Sequence, residues 1–289
     1  MARIIDGKSI AAEIRTVLKK RVADLETAPR LAVILVGRDP ASVLYVSLKE
    51  KAAREVGIEF ERYDLPESVS QAEIIAKISG LNARPDVSGI IVQLPLPAGL
   101  ATDAVINAID PDKDADGFHP QNIERLKNGG SVLPGLTEGI LILIASAEKE
   151  LVGKRALVIS NSEIFSEPLR IALERQGISV KKIFDLSDRE YLANLALESE
   201  IIVSAVGKPG VVTGEMVRDG AVLIDVGTTR LADNKVVGDV LAADFSDRDV
   251  ALTPVPGGVG PMTVAMLLKR VIESAEKNNA GVVRPLKRE

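Results

Sequence analysis

The sequence predicts an α/β protein built on parallel sheets, its second half a Rossmann-like doubly wound sheet of the dinucleotide-binding type. Three observations carry this. Short apolar runs at 31–36 and 89–94 are bounded by proline and glycine, as strands buried on both faces are. Segments with apolar residues at helical spacing alternate with such runs along the chain. The alternation restarts after Gly139, and 289 residues suffice for about two domains.

Taken in order, residues 8–27 read as an amphipathic helix, with Ile10, Ile14, Leu18, Val22 and Leu25 on one face. Leu31-Ala-Val-Ile-Leu-Val36 is a buried strand, 42–56 a helix, 59–65 an alternating strand and 71–82 a helix. Gly89-Ile-Ile-Val-Gln-Leu94 is a second buried strand, stopped by Pro95 and Pro97. In the second half, 140–151 is expected as a helix, 155–159 as a strand and 168–176 as a helix after a turn. Strands follow at 179–184, 201–205 and 221–226, and a last helix at 264–277. The tail from 278 is polar and basic and is expected to cap the surface. The expected domains are 1–138, with the C-terminal segment 264–289 packing back on it, and 139–263.

Composition narrows the function. Hydrophobic residues make up 46% and charged residues 27%, the balance of a globular chain. A net charge of −5 offers no basic field for nucleic acid. No uncharged apolar stretch approaches the length of a membrane span, and residues 1–7 lack a signal-peptide core. With no cysteine and one histidine, no thiolate or multi-histidine metal site is expected, and a cytoplasmic location fits.

Six places hold residues able to do chemistry. Thr253-Pro-Val-Pro-Gly-Gly-Val-Gly-Pro-Met-Thr263, with three prolines and three glycines, reads as a rigid loop feeding a helix. Such a loop either holds a polar ligand on bare N–H groups or is a tight connector. Tyr45 and Lys49, four apart on a helix, project from one face; they are a proton-handling pair or a solvated charged face. Gln93 ends a strand, where doubly wound folds bind ligands, or else satisfies a local backbone group. In Asp110-Pro-Asp-Lys-Asp-Ala-Asp-Gly-Phe-His-Pro120 the spacing is not that of a calcium loop; presentation of Asp116 to a hydrogen-bonding ligand fits better than calcium, and a solvated acidic turn is the alternative. Finally, a phosphate-binding turn is expected after the strand at 155–159, yet Ser160-Asn-Ser-Glu-Ile-Phe-Ser-Glu-Pro168 has no glycine. Asp185, after the next strand, suits a ribose diol and repels a 2′-phosphate.

Together these segments resemble the bifunctional methylenetetrahydrofolate dehydrogenase/methenyltetrahydrofolate cyclohydrolase family. The resemblance runs through Tyr45-Val-Ser-Leu-Lys49, Gly89-Ile-Ile-Val-Gln-Leu-Pro-Leu-Pro97, Asp114-Ala-Asp-Gly-Phe-His-Pro120, Ile224-Asp-Val-Gly227, Gly238-Asp-Val240 and the proline-glycine run. It implies two α/β domains flanking a cleft and a homodimer, and one-carbon metabolism feeding purine biosynthesis. The implied reaction is oxidation of 5,10-methylenetetrahydrofolate with NADP, then hydrolysis of the methenyl product to 10-formyltetrahydrofolate. Lys49 is then the catalytic lysine, Tyr45 stacks on the folate, Gln93 tunes the lysine and Asp116 bonds the pterin. Leu94, Pro256, Gly257 and Gly258 line the folate site, and Ser160, Asn161, Ser162, Asp185 and Thr228 the cofactor site.

The nucleotide turn departs from the family's G-R-S-x-x-V-G-K-P. Both glycines are serines (Ser160, Ser166), the arginine that grips a 2′-phosphate is Asn161, and the lysine is Glu167. The family's H-S-x-T is Phe184-Asp-Leu-Ser187, and its P-C-T-P-x-G is Pro134-Gly-Leu-Thr-Glu-Gly139. At about 1 kcal/mol or more per charged contact, such changes weaken NADP binding. They leave open use of NAD, a cyclohydrolase with little dehydrogenase activity, or a folate-binding protein without catalysis.

Overall fold

The computed structural model describes residues 1–281, with side chains to 278. In chain order come β1 (Arg3–Ile4), α1 (Gly7–Ala23), β2 (Arg30–Val36), α2 (Pro40–Val56), β3 (Glu59–Leu65), α3 (Gln71–Asn82), β4 (Gly89–Val92), α4 (Thr102–Asn107) and α5 (Pro120–Lys127). Then follow α6 (Gly135–Ala147), β5 (Arg155–Ser160), α7 (Glu163–Glu174), β6 (Ser179–Ile183), α8 (Arg189–Glu198), β7 (Ile201–Ala205) and β8 (Val222–Asp225). The short strands β9 (Thr229–Arg230), β10 (Val236–Val237) and β11 (Ala251–Leu252) precede α9 (Val259–Gly281).

The chain forms two compact units. One joins Glu13–Ile123 to the segment beginning at Val264; the other joins Met1–Ala12 to Glu124–Thr263. In the first, β3-β2-β4 form a parallel sheet, with Leu31 opposite Phe60 and Gly89. One face of this sheet buries Leu31, Val33 and Leu35 against Val46 and Ala53 of α2 and Leu268 and Val271 of α9. The other buries Ala32, Ile34 and Val36 with Ile74 and Ile78 of α3. Both faces are apolar because both are covered, hence the unbroken hydrophobic runs.

The second unit holds a six-stranded sheet in the order β1-β11-β8-β7-β5-β6, its pairings all parallel. The chain runs from β5 outward to β6, then crosses to β7 on the other side of β5. That reversal opens a crevice at the carboxyl ends of β5 and β7, where such sheets bind ligands.

Four expectations change. The expected boundary at 138/139 falls inside α6, and residues 1–12 group with the six-stranded sheet because β1 pairs with β11, Arg3 opposite Ala251. The helix expected at 168–176 starts five residues earlier, capped by Ser162, whose side chain accepts from the Phe165 N–H, and Pro168 sits inside it. The helix expected at 140–151 runs Gly135–Ala147 and ends where Glu148 turns extended. The proline-glycine run is a loop only to Gly258, because α9 begins at Val259. Pro261 is tolerated there because N–H groups in a first helical turn have no intrahelical acceptor. The tail expected to cap the surface lies, beyond residue 281, outside the described residues.

Candidate active site

In the first unit the chemistry gathers at the carboxyl edge of β4. Asp39 caps α2 by accepting from the Ser42 N–H at 2.7 Å, with Pro40 in the first turn. The helix buries Ser42, Val46, Ala53 and Val56; Lys49 is in line with them and half-buried, and Tyr45, one turn earlier at the margin of that stripe, is exposed. Lys49 Nζ donates to Gln93 Oε1 at 3.0 Å, and Gln93 Nε2 donates to the Leu94 carbonyl at 2.6 Å. Gln93 is buried, Leu94 is half-exposed, and the Leu94–Pro95 bond is cis.

Asp116 reaches the same edge because its loop extends the sheet. Asp114 bridges Ile90 in parallel: the Ile90 N–H donates to the Lys113 carbonyl and the Ala115 N–H to Ile90. Two residues further along, Asp116 therefore lies level with the end of β4. The acidic loop is no solvated turn. Buried Asp114 accepts from the N–H groups of Gly117 (3.0 Å) and His119 (2.8 Å) and from Asn122 Nδ2 (3.1 Å). Asp116 keeps access to solvent, but the protein around it raises its carboxyl above the ordinary range, loss of solvation being the largest cause. The Lys49 charge opposes that rise. Lys49, Gln93, Leu94 and Asp116 thus gather at one edge of one sheet, with Tyr45 exposed one helical turn before Lys49. A cavity of about 730 Å³ at the ends of β2 and β3, lined by Leu35, Arg38, Val43, Arg62 and Leu65, includes none of them.

Because Gln93 supplies the acceptor for Lys49, Gln93→Leu is expected to slow catalysis about tenfold. Unfolding should move by about 1–2 kcal/mol, since the bonds to Lys49 Nζ and to the Leu94 carbonyl are both lost at the sheet's rim. Unchanged turnover in the folded variant removes Gln93 from the site.

In the second unit, Ser160 ends β5, and its hydroxyl accepts from the Ser162 N–H at 3.0 Å. Asn161 is exposed, and its Nδ2 donates across the β5–β7 crevice to the Val206 carbonyl at 3.2 Å. Asp185, two residues past β6, accepts from the Ser187 N–H, which holds its carboxyl below the usual range. Thr228 is exposed just past β8. These residues lie at the carboxyl edge of the six-stranded sheet, with the start of α7 beside them. A helix start and an acidic strand end suit the diphosphate and ribose of a dinucleotide.

The acidic substitutions in the turn are not bare charges. Lys182 on β6 donates to Glu163 Oε1 (2.6 Å) and Glu167 Oε2 (2.7 Å), and Arg170 forks onto Glu167 (2.7 and 3.0 Å). The Arg170 hydrogen bond, then that of Lys182, bring the Glu167 carboxyl down to about 2. The charge inversion read from sequence is therefore largely neutralised locally. The same pairs engage Lys182 and Arg170, so neither stands open to a 2′-phosphate.

Pro256 follows a cis Val255–Pro256 bond, and Gly257 has φ +113°, a region only glycine enters readily. The Gly257 carbonyl accepts from the Lys8 N–H at 2.9 Å, and the Gly258 N–H donates to the Pro254 carbonyl at 2.8 Å. Sequence reasoning assigned no role to Lys182 or to the individual aspartates Asp114, Asp225 and Asp239, all tied into hydrogen-bond networks.

Comparison with known proteins finds matches to both parts of the chain. Residues 5–116 match the tetrahydrofolate dehydrogenase/cyclohydrolase catalytic domain, and residues 134–279 match the NAD(P)-binding domain of the same family. The bifunctional protein FolD of Geotalea uraniireducens is 43% identical over 281 residues, 96% of this chain and 100% of the relative. That of Acidiphilium cryptum is 47% identical over 275 residues, 95% of this chain and 98% of the relative. The crystal structure of the bifunctional FolD methylenetetrahydrofolate dehydrogenase/cyclohydrolase of Campylobacter jejuni superposes with a TM-score of 0.91 at 38% identity, covering 96% of this chain and 99% of that one. The Trypanosoma brucei enzyme, solved with NADP and an inhibitor, gives a TM-score of 0.91 at 34% identity, covering 96% and 98%. The chain belongs to the tetrahydrofolate dehydrogenase/cyclohydrolase family.

Proposed function

We propose that this chain oxidises 5,10-methylenetetrahydrofolate to 5,10-methenyltetrahydrofolate with a nicotinamide cofactor and hydrolyses the product to 10-formyltetrahydrofolate. The carrying observation is the Lys49–Gln93 hydrogen bond beside Asp116, in a chain of this family. A bound nicotinamide dinucleotide accepts the hydride that leaves the methylene carbon. NADP is supported by kinship with the Trypanosoma brucei enzyme. Ser160, Asn161, Ser162, Asp185 and Thr228 are the residues to hold the cofactor.

In the hydrolysis, Lys49 Nζ, acting from its neutral amine form, takes a proton from the water whose oxygen bonds to the methenyl carbon. The carbon's bond to N5 then breaks as N5 receives that proton from Nζ, the new hydroxyl loses its proton to solvent, and the formyl group stays on N10. Gln93 orients Nζ, Asp116 hydrogen-bonds the pterin and Tyr45 stacks against it. We further propose a homodimer in the cytoplasm, handling one-carbon units for purine biosynthesis. The absence of cysteine suits that compartment, and no described helix is long and apolar enough to cross a membrane.

A second reading, cyclohydrolase activity with little dehydrogenase activity, is favoured by one observation: Lys182 and Arg170 are held by Glu163 and Glu167, and Asn161 by Val206. One assay separates the two. Purified protein with methylenetetrahydrofolate and NADP+ or NAD+ should reduce the nucleotide, and methenyltetrahydrofolate should be hydrolysed with no nucleotide present. Hydrolysis without reduction of either nucleotide selects the second reading. Neither activity sinks both.

A further inference from the structure

The motifs Ile224-Asp-Val-Gly227 and Gly238-Asp-Val240 enter no step described above, yet each buries a carboxylate in the second unit. Asp239 is fully buried and collects four neutral donors. Its Oδ2 accepts from Ser204 Oγ and the Val206 N–H, both at 2.7 Å. Its Oδ1 accepts from the N–H groups of Gly207 and Lys208, both at 2.9 Å. Three successive N–H groups converging on one anion form a nest of the kind that binds phosphates. Here the protein's own carboxylate fills it.

The loop at 206–208 follows β7 at the β5–β7 crevice. With its N–H groups turned inward on Asp239, its carbonyls meet other partners. Val206 accepts from Asn161 Nδ2 at 3.2 Å, and Gly207 accepts from Thr229 Oγ1 at 3.0 Å. Asp239 is fixed in turn by Asp225, whose Oδ1 accepts from the Asp239 and Gly227 N–H groups at 3.0 Å. Asp225 Oδ2 accepts from the Val240 N–H at 2.9 Å. The Asp225 N–H donates to Thr253 Oγ1 at 2.8 Å, at the head of the proline-glycine run. The two motifs interlock: a Cβ at Gly227 would stand 2.1 Å from Asp239 Oδ1, and one at Gly238 1.9 Å from Asp225 Oδ2.

We propose that Asp239 is a positioning residue for the nicotinamide cofactor, fixing the 206–208 loop at the crevice, with Asp225 holding Asp239 in place. A carboxylate is needed because both oxygens must accept, and a neutral amide accepts through only one. The proposal rests on the dehydrogenase reading and deepens it.

The test is steady-state kinetics of Asp239→Asn and Asp239→Ser beside the wild type. Asp239→Ser is expected to raise the cofactor KM about tenfold or more, and Asp239→Asn about threefold. Nucleotide-independent hydrolysis and the folate KM should stay within about twofold, and amide exchange at Gly207 and Lys208 should quicken. An unchanged cofactor KM in a folded variant overturns the proposal. So does hydrolysis falling in parallel with cofactor use, the mark of a merely structural role. Should Asp239→Ser fail to fold, Asp239→Asn decides alone. Wild-type protein that reduces neither NADP+ nor NAD+ overturns the dehydrogenase reading along with this one; wild-type turnover with an unaltered variant KM overturns this one only.

Discussion

Lys49→Met is expected to lower methenyltetrahydrofolate hydrolysis by about 10²- to 10⁴-fold, the range for loss of a positioned proton-transfer group. The substitution keeps the length and apolar stem of the side chain and removes only the nitrogen that contacts Gln93. Lys49 is half-buried in line with Val46, Ala53 and Val56, and the methionine fills the space of the lysine stem there, so the helix keeps its packing. Unfolding should therefore shift by less than about 1 kcal/mol. Oxidation of methylenetetrahydrofolate should fall less than hydrolysis, because the step removes a hydride and no proton from the reacting carbon. Paired rates on one folded preparation check this. A variant that hydrolyses at the wild-type rate ends the assignment of Lys49, and equal losses in both reactions point to damaged folate binding instead.

The first-unit site was legible because its signals are local. Tyr45 and Lys49 are one helical turn apart, and Gln93 is fixed by the strand before it. The bounds of β3 and α3 were readable for the same reason: Glu59–Leu65 intersperses Phe60, Tyr63 and Leu65 with charged residues, and Ser70 and Glu73 form a capping box at the start of α3. What the sequence concealed depends on partners far along the chain. Pairing of Arg3 with Ala251 leaves no trace near either residue, so the unit boundary was misplaced. Pro168 looked like a helix start. Inside α7 it forfeits one backbone bond, offset by the Ser162 cap and the burial of Phe165, Leu169 and Leu173. The Asp225–Asp239 clasp needs the order β8-β7-β5 before either carboxylate has a purpose. Glu167 was misjudged likewise, since Lys182 reaches it only because β6 lies beside β5.

Asn161→Arg is expected to raise the ratio of NADP+ to NAD+ specificity, each measured as kcat/KM, by about ten- to a hundredfold. A hydrogen bond to a charged group contributes about 1.5–3 kcal/mol, and a guanidinium matches a phosphate in two-pronged geometry. Position 161 aligns with the arginine that grips the 2′-phosphate in the family's turn, and here it is exposed beside the crevice. The bond given up, Asn161 to the Val206 carbonyl at 3.2 Å, is long and solvent-facing, so the loop loses little. Two groups work against the gain. Asp185 stands at the end of β6, where its negative charge would oppose a 2′-phosphate, and Glu163 is an exposed carboxylate at the first position of α7. Removing the second competitor, in Asn161→Arg with Glu163→Gln, should enlarge the gain, and Lys182 would keep Glu167 as its partner. Because the contact is between exposed charges, the gain should shrink as salt rises. A ratio that does not move in either variant would mean that the 2′-phosphate is not read at this turn.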